Sequence, residues 1–118
     1  MSLDHRTRSY HPDTVWSVYL LVESDTGEVR YVGKTMRPQA RLYCHMHSVR
    51  GDHMRAWIAE LKARGARAEM LVLRQTPHEW EADIWELEEV QRRLHLDGLL
   101  NRRLTFGRQR VLARWKSA

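Results

Sequence analysis

The stretch Val15-Trp16-Ser17-Val18-Tyr19-Leu20-Leu21-Val22-Glu23, the turn Asp25-Thr26-Gly27 and the stretch Glu28-Val29-Arg30-Tyr31-Val32-Gly33 together read as a β-hairpin. Aliphatic and aromatic residues fill the first segment, Asp25-Thr26-Gly27 supplies turn chemistry, and the extended pattern then resumes. Side chains alternate along a strand with a period of two. Tyr19, Leu21 and Glu23 therefore share one face of the first strand, and Val29, Tyr31 and Gly33 share one face of the second. Both tyrosines are expected on the same side of the sheet. A glycine at position 33 lets backbone or ligand approach closely at the strand's end.

Working outward, Pro38 fits the first turn of a helix running to about His47, on which Arg41 and His45, four residues apart, lie on one face. Gly51-Asp52 resets the chain, with Asp52 as the expected N-cap of a second helix whose apolar positions are Met54, Trp57, Ile58 and Leu61. Gly65 ends that helix. Ala68 to Arg74 contains Met70-Leu71-Val72-Leu73, read as a third, buried strand. Thr76 is the expected cap of a long helix reaching about Leu96, with Trp80, Ile84, Leu87, Gln91 and Leu94 as its core stripe and Glu86 and Glu88 on either side. These elements predict an α+β domain over residues 14–101, preceded by a polar segment, 1–13, and followed by a basic extension, 102–118.

The chain's 118 residues suit one domain with one core. The 42% hydrophobic content, without an apolar run near the roughly 20 residues of a membrane span, predicts a soluble protein with no membrane partner. Residues 1–13 lack the apolar centre of a signal peptide. The single cysteine, Cys44, is expected as a small helix filler in a reducing, cytoplasmic setting.

Charge points to an anionic partner. The net charge is +5, and 17 of the 20 basic residues are arginine, whose planar fork suits bidentate phosphate contact. Six acids and no base fall between Glu79 and Glu89, whereas six bases and no acid fall between Arg102 and Lys116. That segregation predicts a carboxylate-bearing helix followed by a tail able to track phosphates, with Lys34, Arg102, Arg103, Arg108 and Arg110 as candidate contacts.

Cutting a phosphodiester requires an aimed nucleophile, positive charge for the phosphorane-like transition state and help for the leaving oxygen. Tyr19 and Tyr31 are the candidates nearest the nucleophile. Free tyrosine titrates near pH 10, so it needs a cationic or metal neighbour to act as a base, and Lys34 is the expected source of that field. Arg41 is the candidate clamp for the scissile phosphate, and His45, titrating near neutrality, the candidate phosphate contact or proton carrier; His47 is its rival on another helix face. Glu86, in the frame Ala82, Glu86, Val90, is the candidate carboxylate for one hard divalent cation, with Glu88 and Glu89 as alternatives. The histidines form no H-x-x-x-H pair with a partnering glutamate, so they give no zinc pattern.

In this order the residues resemble the GIY-YIG nuclease family, from about Trp16 to Asn101. Ser17-Val18-Tyr19 stands in the place of the first signature and Tyr31-Val32-Gly33 in that of the second, with eleven residues between the triplets. Arg41 matches the family's catalytic arginine, His45 a histidine often found a turn later, Glu86 the metal-binding glutamate and Asn101 a late supporting asparagine. Ser17 stands where the first signature has glycine, and the segment after Asn101 lacks a glycine pair common in small members.

The resemblance implies a three-stranded antiparallel sheet flanked by helices, with the tyrosines, arginine and glutamate converging on one sheet face. It further implies a metal-dependent DNA endonuclease in which a tyrosine activates water, Arg41 stabilises the phosphorane and Glu86 holds magnesium, or manganese in its place, on the leaving side. Tyr19, Tyr31, Arg41, His45 and Glu86 would then be catalytic, with Gly33, Lys34 and Asn101 in support. DNA is the expected substrate, its strandedness open, with RNA as a further possibility. The competing readings are a catalytically silent nucleic-acid binder, a nuclease module that needs a targeting partner, and an unrelated α+β domain.

Overall fold

The computed structural model describes residues 15–47, 51–96 and 98–101. The polar segment 1–13 and the basic extension, with Arg102, Arg103, Arg108 and Arg110, lie outside them. The elements are β1 (Trp16–Glu23), β2 (Val29–Thr35), α1 (Pro38–Met46), α2 (Asp52–Ala63), β3 (Ala68–Thr76) and α3 (Glu79–Arg92). The three strands form one antiparallel sheet in the order β2-β1-β3. The expected α+β architecture, a three-stranded antiparallel sheet flanked by helices, is the one observed.

The β1–β2 hairpin turns where the sequence places it. Gly27 adopts φ 75°, a left-handed conformation that glycine takes without a Cβ penalty, and its N–H bonds to the carbonyl of Glu23 at 2.8 Å. The period-two alternation then sorts β1 into two packed faces. Val18, Leu20 and Val22 join Val32 of β2, Ala82 and Val90 of α3 and Leu99 in one core layer. Tyr19 and Leu21 point the other way, to Trp57, Ile58 and Leu61 of α2 and to Ala68 of β3. β1 is therefore buried on both faces, and it anchors the molecule.

Four expectations are corrected. Val29 does not share the face of Tyr31 and Gly33: the register shifts between the pairs Leu21–Tyr31 and Val22–Val29, and Val29 packs with the Val18, Leu20 and Val22 layer while Tyr31 packs with Tyr19 and Leu21. β3 is not a buried strand: it is the sheet's edge, and Leu71, Val72 and Leu73 stay 49%, 44% and 39% exposed. On α3 the buried stripe is Ala82, Glu86, Leu87, Glu89 and Val90, while Trp80, in the first turn, is half exposed beside the His78 ring. The small Ala82, rather than Trp80, meets the sheet, Trp85 packs partly buried against the same core, and Glu89 is tolerated inside because Arg92 and Arg93 pair with it. Glu86 thus lies within the buried stripe, not beside it. Asp52 is the first residue of α2 and bonds to Arg55, and Gly51, at φ 73°, occupies the cap.

Candidate active site

Tyr19 stands at the centre of β1 and Gly33 is its direct partner on β2. The Tyr19 ring lies over the bare glycine and is fully buried. Tyr31, two residues before Gly33, projects from the same face, with its ring centroid 6.2 Å from that of Tyr19. The hairpin register thus delivers both tyrosines to one side, as alternation requires.

α1 adds the other two groups from above that face. His45 is buried and its Nε2 lies 2.8 Å from the Tyr19 hydroxyl oxygen, with its ring 5.1 Å from that of Tyr31. Arg41, one turn earlier, is exposed, and its guanidinium is the cation that acts on the Tyr19 hydroxyl. His47 takes no part: it stacks on the exposed Tyr43 at 4.0 Å, and its Nδ1 lies 2.9 Å from the Tyr43 carbonyl oxygen.

The electrostatics follow from burial. Desolvation, followed by the neighbouring Tyr31, pushes the Tyr19 hydroxyl well above the usual tyrosine value, against the pull of Arg41. Burial, and then the charge of Arg41, lowers His45 to about 4. Near neutral pH Tyr19 therefore keeps its proton and His45 is an uncharged acceptor. A phenol that keeps its proton beside an uncharged imidazole donates to it. The phenol proton is then directed at Nε2 in the tautomer protonated at Nδ1.

Glu86, 5% exposed, is carried by α3, which packs through Ala82 and Val90 on the Val18, Leu20 and Val22 face and not on the face of the tyrosines, so the expected convergence on one sheet face does not extend to this helix; its negative charge raises Tyr19 further. Among the described residues no group of three or more His, Cys, Asp or Glu lies close enough to hold a metal ion. A single buried carboxylate is a donor set that fits magnesium or manganese, which take the rest of their coordination from water and substrate oxygen, and does not fit zinc.

Asn101 is fully buried and acts on β2 from its outer edge. Its Oδ1 accepts from the Val32 N–H and its Nδ2 donates to the Val32 carbonyl, both at 2.8 Å. The amide imitates a neighbouring strand at the residue between Tyr31 and Gly33. It therefore fixes the strand that carries them.

Lys34 is corrected. Alternation turns it to the opposite face from Tyr31 and Gly33, where its Nζ meets Glu79 at 2.8 Å and Asp83 at 2.9 Å and lies over the Trp16 ring. It supplies no field to the tyrosines; Arg41 does. Cys44 is exposed rather than packed. One residue escaped the sequence reading: Arg37, four positions before Arg41, lines the same groove as Arg41. Its i, i+4 spacing was the available signal. No protein family, curated protein or solved structure matches the chain when it is compared with them.

Proposed function

We propose that the chain is a metal-dependent endonuclease that hydrolyses DNA phosphodiester bonds. The observation that carries this reading is the meeting of Tyr19, Tyr31, His45 and Arg41 around Gly33, with Arg41 exposed and engaged in no ion pair among the described residues. The ordered likeness to GIY-YIG nucleases, Glu86 and Asn101 included, supports it.

Arg41 clamps a non-bridging oxygen of the scissile phosphate and balances the charge that grows in the phosphorane. Turning to the phosphate draws its charge away from Tyr19 and leaves that oxygen to an attacking water, which Tyr31 orients from the partly exposed side. As the water's oxygen bonds to phosphorus, its proton passes to the Tyr19 oxygen while the Tyr19 proton passes to Nε2 of His45; the bond from phosphorus to the leaving oxygen then breaks, and that oxygen takes a proton from solvent water. His45 then returns the proton to solvent. Glu86 would hold the divalent cation, which when bound stabilises charge on the leaving oxygen.

The test is cleavage of labelled single-stranded, duplex and branched DNA in magnesium or excess EDTA, with folded Glu86→Ala and Arg41→Ala variants beside the native protein. Magnesium-dependent cutting lost in both variants is the expected result. Salt-sensitive binding without cutting by the native protein would instead assign a silent binder or a partner-dependent module.

A further inference from the structure

Beside the tyrosine cluster runs an open groove of about 440 Å³, walled by Trp16, Met36, Arg37, Ala40 and Arg41. It continues past Met36, Arg37 and Ala40 into a second trough of about 470 Å³ that reaches Ser17 and Gln75. Arg37 and Arg41 both line the groove and stand one helical turn apart, about 6 Å along the axis. Among the described residues neither takes part in an ion pair, whereas Lys34 on the far wall is neutralised by Glu79 and Asp83. Met36, Ala40 and Trp16 give the groove its apolar lining, with Thr35 and Cys44 beside them and the Lys34 Nζ 4.5 Å from the Trp16 ring centroid.

Two unneutralised guanidinium groups a turn apart, with an apolar lining beside them, do not suit the outside of a duplex. A duplex presents phosphates and sugars and hides its base faces, so the apolar lining would stay uncovered. An unpaired strand offers a phosphate and a base face together. The Met36 thioether is suited to an aromatic face, and the exposed Ala40 leaves room for one.

We infer that the groove binds unpaired DNA next to the scissile phosphate: Arg37 holds the neighbouring phosphate while its base lies against Met36, Ala40 and Trp16. The inference rests on the nuclease reading for the role of Arg41. It makes single strands or unpaired flaps the preferred substrate class, and Arg37 a binding residue distinct from the reacting groups.

Binding is measured in EDTA, where no cutting intervenes, by fluorescence anisotropy with short labelled single-stranded and duplex DNA. The proteins are the native chain, Arg37→Ala and Ala40→Glu; both positions are exposed, and a thermal melt verifies folding. The native protein is expected to favour the single strand. Arg37→Ala should weaken that binding about tenfold and lower the salt slope by about 0.7, the value for one contact to a single-strand phosphate. Ala40→Glu, which sets a carboxylate between the arginines, should weaken it at least as much, with duplex binding changed less than about twofold.

Single-strand binding unchanged in both variants, or an equal loss for duplex, overturns the inference. Parallel cleavage in magnesium separates the two readings. If the native protein discriminates strands but never cuts, the nuclease reading fails and the groove assignment stands. If it cuts and both variants keep the strand preference, the groove assignment alone fails.

Discussion

The ring of Tyr19 occupies the space that a side chain on Gly33 would need: a Cβ there would sit 2.4 Å from the hydroxyl oxygen and 2.5 Å from Cζ. The two residues are cross-strand partners, so the contact is built into the hairpin register. The ring is enclosed and tied to His45, so it cannot move aside without breaking that bond. Gly33→Ala is expected to fold, to lose roughly 1–3 kcal/mol in a denaturant melt, and to lose most cleavage because the Tyr19 oxygen is displaced. An unchanged melt with full activity would show that the ring yields freely.

His45 makes stability depend on pH in a defined window. The folded protein takes up the imidazole proton only near pH 4, because burial and then Arg41 oppose it, while the unfolded chain takes it up near 6.5. As pH falls from about 6.5 to 4 the unfolded state binds the proton first, so stability declines by at most roughly 3 kcal/mol and His45 adds no further loss below. A His45→Gln variant is expected to lack this share of the decline. NMR titration of the His45 ring checks the cause directly, and a midpoint near 6.5 would refute it.

Arg41 and Lys34 are both close to the tyrosine strand in sequence but face different sides of the sheet, and their variants should separate. Arg41→Ala removes an exposed side chain, so the fold should hold while cleavage drops by about two to three orders of magnitude, as for a lost transition-state donor. Lys34→Met removes the partner of Glu79 and Asp83, a half-exposed network contributing at most about 1 kcal/mol, and should leave kcat within about threefold. Equal losses of kcat in the two variants would show that Lys34 acts on the reaction after all.

The hairpin was legible because its signals agree. Alternation, the Asp25-Thr26-Gly27 turn and the glycine at position 33 all demand the same register, and that register alone brings Tyr19 and Tyr31 together. Arg41 and His45 were legible from helical spacing. The same period of two also turns Lys34 away, a consequence hidden by its closeness in sequence to Tyr31. Strand order was not legible: Met70-Leu71-Val72-Leu73 has the composition of a buried strand, but nothing local says that β3 lies at the edge. The α3 stripe was misread because hydrophobicity favours Trp80 for the core. The helix instead approaches on Ala82 and Val90, with Glu86 and Glu89 between them, and Glu89 depends on arginines one turn later. The pairing of Asn101 with the Val32 backbone spans 69 residues and has no local signature.

Glu23, only 4% exposed, holds a clasp whose loss should reach the site from a distance. Its two oxygens accept from Arg30 and Arg64 at 2.6 Å each and from Trp57 Nε1 and Thr26 Oγ1 at 2.8 Å. Burial pushes its carboxyl upward, but the bonds from Trp57, Thr26 and Arg30 and the charge of Arg64 hold it below the usual range. That stabilisation is present above the unfolded value of about 4.3 and is lost as pH falls through the lower folded value. Glu23→Gln is expected to lose roughly 3 kcal/mol at neutral pH and, with it, this acid-dependent component. Arg30 also donates from Nε to the Gly98 carbonyl at 2.6 Å, three residues before Asn101. A loosened Arg30 frees that segment and, through Asn101, the backbone of Val32. In Glu23→Gln the Val32 amide should therefore exchange with solvent faster than amides of β1, by more than the global loss of stability accounts for; uniform acceleration across both strands would show that the clasp acts on stability alone.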